Sequence, residues 1–126
     1  MKRLAILLCI LLLAGCISGQ TYTEQIRDQG GTPFDLARAG YLDSLKWYND
    51  QQANFIGYVQ AMPPAMRAEP EVADKLREIN DLFVIAGLIL DDWRLTTDLI
   101  AMDYQSEEFR RARNALIDAG ILMLVK

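Results

Sequence analysis

Few residues in this chain have the chemistry to do catalytic work, and most of those are acids. Asp91, Asp92 and Asp98 lie beside Trp93, with Asp91 and Asp98 seven residues apart and so on one face of a helix. Carboxylates at such a spacing are the raw material of general acid–base catalysis or of a hard-cation site. Arg94, however, stands three residues after Asp91 and four before Asp98, within reach of both. The expectation is therefore solvated ion pairs along the helix and not a catalytic pair. Asp74, Arg77, Glu78 and Asp81 have the same character. The chain contains no histidine. That removes the usual proton shuttle and the commonest metal ligand, and with them most hydrolase triads and zinc sites. There is no glycine-rich phosphate loop, EF-hand loop or G-x-S-x-G elbow either. No catalytic residue, metal site or cofactor is expected, and the protein reads as a non-enzyme.

The two cysteines, Cys9 and Cys16, both fall near the start. Met1, Lys2 and Arg3 are followed by an unbroken apolar run from Leu4 to Leu13 and then by Ala14, Gly15 and Cys16. A basic start, a short apolar centre and small residues at the cut are the three regions of a signal peptide. The apolar run is well short of the roughly 20 residues a membrane-spanning helix takes. Leu13, Ala14, Gly15 and Cys16 spell L-A-G-C, which resembles the lipobox of bacterial lipoproteins, over residues 1–16 alone. The resemblance implies that the Cys16 sulfur carries a diacylglycerol, that residues 1–15 are cleaved, and that the new N-terminus is acylated by a chain such as palmitate. Cys9 then leaves with the signal, and no thiol is spare for a disulfide, a thiolate metal site or nucleophilic catalysis. Several acyl chains hold a protein on a membrane stably where one does so only marginally. Ile17 replaces the aspartate associated with inner-membrane retention in enterobacteria, so the resemblance places the protein on the outer membrane, facing the periplasm.

Those features need a body to hold them. At 126 residues and 52% hydrophobic, the chain suffices for one modest core and no more. Residues 17–31 (ISGQTYTEQIRDQGG) are polar, contain three glycines and show no sustained apolar period. Residues 16–31 are therefore expected to be a lipidated cysteine and flexible tether, with the domain at 32–126. Loss of Lys2 and Arg3 leaves eleven basic against seventeen acidic residues in the mature chain, a formal charge of −6. Nucleic acid would be repelled and is excluded as a partner.

The body reads as helix throughout. Thr32 caps, Pro33 suits the first helical position, and Phe34, Ala37, Tyr41, Leu45, Tyr48, Gln52, Phe55, Val59 and Met62 recur at steps of three and four until Pro63 and Pro64. A second helix is predicted from Pro70 to about Asp103, on Val72, Leu76, Ile79, Phe83, Ala86, Leu90, Trp93, Thr97 and Ile100, with a kink or division at Asp91 and Asp92. From Leu82 to Leu90 that helix is apolar on every side, which predicts burial all round or an interface. A third helix is expected to open at Ser106 and carry Phe109, Ala112, Leu116, Ala119 and Met123, with Glu107 pairing to Arg110 or Arg111, unless Gly120 ends it early. The predicted architecture is all-α: a small antiparallel bundle of two long helices in a hairpin plus a shorter third. The third covers the half near its own start and leaves an incomplete groove near Met62 and Val72.

Two functions fit such a body. One is a lipid-anchored, non-catalytic accessory protein that binds another envelope protein or itself. Its candidate contact residues are Met62, Pro63, Pro64 and Met66 in the hairpin turn, where two adaptable methionines flank a stiff diproline. The alternative is a carrier of small hydrophobic ligands, or a minor enzyme, with a pocket between helices lined by Trp47, Tyr48, Phe55 and Trp93. Packing of those aromatics into the core is the simpler expectation.

Overall fold

The computed structural model describes residues 21–121. The L-A-G-C box, Ile17 and Met123 lie outside the described residues. The described chain is all-α, with no strand, and forms five helices: α1 (Tyr22–Asp28), α2 (Pro33–Ala61), α3 (Pro64–Arg67), α4 (Pro70–Leu95) and α5 (Leu99–Asp118).

Helix α2 starts where its sequence signals place it. The Thr32 hydroxyl accepts from the Asp35 amide at 3.2 Å and the Asp35 carboxylate accepts from the Thr32 amide at 3.1 Å, a closed capping box with Pro33 in the first turn. Met62 ends the helix in an extended conformation ahead of Pro63. The chain then turns through α3 and enters α4 at Pro70. Contacts between α2 and α4 run in opposite directions along the two helices: the Arg38 guanidinium donates to the Arg94 carbonyl, Tyr41 meets Trp93, and Tyr48 and Phe55 meet Phe83. Helix α5 returns across both, setting Phe109 edge-on to Trp47 at 6.3 Å. Trp93, Phe83, Met102, Leu116 and Ile121 are the largest fully buried side chains, each a contribution of about 1.5–3 kcal/mol from apolar burial.

Three expectations are corrected here. The second helix does not run to Asp103. It stops at Leu95, the chain passes through Thr96–Asp98 in extended backbone, and α5 begins at Leu99 and not at Ser106. The Asp98 side chain accepts from the Ala101 amide at 3.2 Å and so caps α5. Thr97 and Ile100 are consequently exposed and leave the core stripe of α4. Second, α5 reaches the far end of the bundle. An opening of about 360 Å³ does lie at Met62, Val72 and Leu76, as expected, but Ala119 and Gly120 form part of its lining, so the far end is not left without α5. Gly120, at φ 95°, supplies the left-handed residue that ends the helix.

Third, residues 22–28 are not tether. Thr21 accepts from the Glu24 amide to cap α1, and α1 lies on α2 with Tyr22 and Ile26 against Ala39 and Leu42. Asp43 holds its first turn, taking hydrogen bonds from the Tyr22 amide (2.7 Å), the Thr23 amide (3.1 Å) and the Thr23 hydroxyl (2.7 Å). This second packing face explains why Ala39, off the predicted stripe, is buried.

Candidate functional site

Of the turn residues expected to contact a partner, Met62 is withdrawn. Its side chain is 8% exposed and caps the end of the bundle, whereas Pro63, Pro64 and Met66 remain exposed on and beside α3. A single turn of helix carrying one free methionine is a small surface.

The larger one lies on α4. The run from Leu82 to Leu90 is not buried all round: Phe83, Ala86 and Leu90 face the core while Val84, Ile85 and Leu88 are 53%, 51% and 62% exposed. Leu95, one turn past Asp91, is 70% exposed. Val84, Leu88 and Leu95 stand four and seven residues apart and so share one face, with Ile85 on its edge. Asp81, Asp91 and Asp92 border this stripe, and among the described residues no ion pair engages any of them. Arg94 pairs with neither Asp91 nor Asp98: α4 ends at Leu95, so the helical spacing that would have aligned Asp98 is lost, and Asp91, three residues before Arg94 on the same helix, makes no ion pair with it. The exposed acids make their pairs elsewhere, Asp74 with Arg77 and Glu107 with Arg110, as local spacing predicts. The Arg110 guanidinium holds the Glu107 carboxyl below its ordinary range.

Beside the stripe, a groove of about 510 Å³ opens between α2 and α4, with Tyr41, Leu45 and Tyr48 on one wall and Val84, Gly87 and Leu88 on the other. Gly87 makes the close approach possible, since a Cβ there would lie 2.8 Å from the Tyr48 hydroxyl. That hydroxyl donates to the Phe83 carbonyl at 3.2 Å, and burial, reinforced by the nearby Asp91 charge, pushes its pKa up.

The aromatic residues weighed as a ligand box do not share a pocket. Trp47 packs on Phe109, Tyr48 and Phe55 on Phe83, and Trp93 on Tyr41, all with ring centroids 5.5–6.3 Å apart. Among the described residues no three side chains of histidine, cysteine, aspartate or glutamate are placed to hold a metal ion, and no helix is long and apolar enough to cross a membrane.

No family model matches this chain, and neither a curated protein nor a solved structure is similar to it. Its function is therefore read from its own surfaces. Phe83, Ala86 and Leu90, which the helical period places on the inward stripe, are buried in the core, and Val84, Ile85 and Leu88 are the opposite side of the same apolar run.

Proposed function

We propose that the protein is a lipid-anchored, non-catalytic accessory protein of the bacterial envelope, held by Cys16 on the periplasmic face of the outer membrane. It binds another envelope protein through the outer face of α4, using a hairpin of α2 and α4 backed by the shorter α5 as its scaffold. The anchor rests on the signal anatomy and L-A-G-C box of residues 1–16. The observation that carries the binding role is the exposed stripe of Val84, Leu88 and Leu95, with Ile85 at its edge, beside an open groove. Clustered apolar exposure of this kind marks contact sites, whereas isolated apolar residues need no explanation.

The chemistry of the border supports a cationic occupant. Asp81, Asp91 and Asp92 carry unpaired negative charge along an apolar strip, the complement of an amphipathic helix with lysine or arginine beside its apolar face. A second copy fits poorly, because face-to-face pairing sets these acids against their own counterparts on a chain that is already net negative.

In-cell photo-crosslinking from position 85 tests this reading. The expected result is one discrete adduct to an envelope protein, joined at a basic amphipathic segment and lost in Leu88→Lys. Leu88→Lys should leave the melting temperature within a few degrees of the parent, because the side chain is already in water. Leu90→Asp, which buries an unpaired charge at a site 2% exposed, should unfold the body. Absence of an adduct, or adducts only to other copies of the chain, overturns the proposal.

A further inference from the structure

Helix α5 ends in a turn that keeps the chain inside the bundle. The Ala119 amide donates to the Ala115 carbonyl at 3.0 Å and the Gly120 amide to the Ile117 carbonyl at 2.9 Å. Gly120, at φ 95°, then reverses the chain across the last turn of the helix. A turn of this kind sets the residue after the glycine against the helix it has just left. Ile121 follows that rule, since Ile121 and Leu116 are both fully buried in the one core cluster. The chain therefore passes Gly120 inward, and at Ile121 it is still in the core.

The opening of about 360 Å³ at this end has Ala119 and Gly120 in its wall. Tyr58 and Met62 from the end of α2, with Val72, Leu76 and Ile79 from the start of α4, make most of the rest apolar. Two charged residues, Glu71 and Lys75, also stand on it. Lys75 pairs with Glu78 at 3.2 Å, whereas Glu71 makes no ion pair among the described residues. An occupant that suits this wall is apolar and carries a cation beside Glu71. The sequence beyond Ile121 reads Leu122, Met123, Leu124, Val125 and Lys126, four apolar residues and then a cation. Four residues extend up to about 14 Å. The α4 wall from Glu71 to Ile79 is about 12 Å long, so the segment can reach any point on it. Joined to the wall at Gly120, it meets the opening at an effective concentration that a separate molecule would need millimolar amounts to match.

We propose that this opening is a docking site for residues 122–126 of the same chain. Leu122 to Val125 seat their apolar side chains against Tyr58, Val72 and Leu76, and Lys126 pairs with Glu71. The far end of the bundle is thereby closed by the chain itself and is not offered to another molecule. The proposal stands apart from the anchor at Cys16 and from what the outer face of α4 binds.

The test uses the protein as cells process it, followed by NMR. The methyl groups of Leu122, Leu124 or Val125 should show nuclear Overhauser contacts to the Tyr58 ring or the Val72 methyls. The amides of residues 122–125 should exchange more slowly than those of a free peptide of the same sequence. Glu71→Lys and Lys126→Glu should each speed that exchange roughly two- to fivefold, the worth of one exposed ion pair. The double variant carrying both changes should restore it, which a mere weakening of the start of α4 by Glu71→Lys would not allow. Ending the chain at Ile121 should shift the Tyr58 and Val72 resonances and lower the melting temperature by several degrees, while the Trp47 indole resonance stays in place. Absence of the contacts, exchange at the free-peptide rate, or a double variant that exchanges like the single ones overturns the proposal. None of these three readouts requires the shortened chain to fold.

Discussion

Asp43 shows how much one carboxylate can organise. It gathers three hydrogen bonds from the first turn of α1, a helix of seven residues that buries none of them and would not persist alone. Its oxygens also place negative charge at the positive end of that helix. Asp43→Ala should therefore release α1 while leaving α2, α4 and α5 packed. Amide exchange of residues 22–28 should rise to that of free chain, and the remaining amides should keep their protection. Stability should fall by about 1–3 kcal/mol, the order expected when charge-assisted hydrogen bonds are lost. Asp43→Asn, which keeps one acceptor oxygen, should retain part of the protection. If Asp43→Ala leaves the exchange of residues 22–28 unchanged, α1 is held by the contacts of Ile26 and not by this carboxylate. Nothing at position 43 signals the role in the sequence, because its partners lie twenty and twenty-one residues away. The helix it caps did leave a trace: Thr21 followed three residues on by Glu24 is a helix-start pattern, and reading 17–31 by its glycines hid it.

At the scale of elements, the period within a helix and the signals at its ends are both legible where they act on neighbouring residues. Ile79, Phe83, Ala86, Leu90 and Trp93, spaced by threes and fours, are all buried, as are Phe109, Ala112 and Leu116 on α5. The capping box at Thr32 and the stop at Pro63 are legible for the same reason: each is a local rule acting on adjacent residues. The α4–α5 junction is different. Leu95, Thr96, Thr97 and Asp98 contain neither proline nor glycine, and Thr97 and Ile100 continue the spacing, so the sequence pattern runs straight through a break. Local hydrogen bonds make the break. The Thr96 hydroxyl donates to the Asp92 carbonyl at 2.7 Å, drawing a group from the last turn of α4, and Asp98 caps the next helix. Asp98→Ala should cost about 1 kcal/mol and fray the first turn of α5, read as a lower melting temperature with faster exchange at Ala101 and Met102. Asp98→Ser or Asp98→Asn should restore most of it. A loss in the serine variant equal to that in alanine would assign the role of Asp98 to its charge instead of its cap. The candidate surface does not share this limit: the stripe of Phe83, Ala86 and Leu90 marks the inward side of the apolar run and leaves Val84, Ile85 and Leu88 outward, as they are found.

At the scale of the molecule, the proposed anchor at Cys16 would have its geometry limited by the body it joins. Since α1 takes up residues 22–28, the chain from Cys16 to the body is five residues long, a reach of at most about 18 Å where a tether through residue 31 would have allowed about 50 Å. It joins the body beside Asp43, partway along α2, and not at an end. If the proposed anchor holds, the body would be kept against the bilayer surface along its flank, with α1 nearest the membrane. Cys16→Ser tests the anchor apart from the fold. The parent should fractionate with membranes, with the mass of a chain cleaved before Cys16 plus its acyl groups. The variant should lose the added lipid mass and keep its helical spectrum and melting transition, because among the described residues every buried side chain comes from residues 39–121. Treatment of cells with an inhibitor of lipoprotein signal cleavage should retain residues 1–15 on the parent and change nothing in the variant. A parent whose mass carries no lipid refutes the anchor and, with it, the short link to the membrane. The α4 surface would then have to be explained for a body free to turn in any direction.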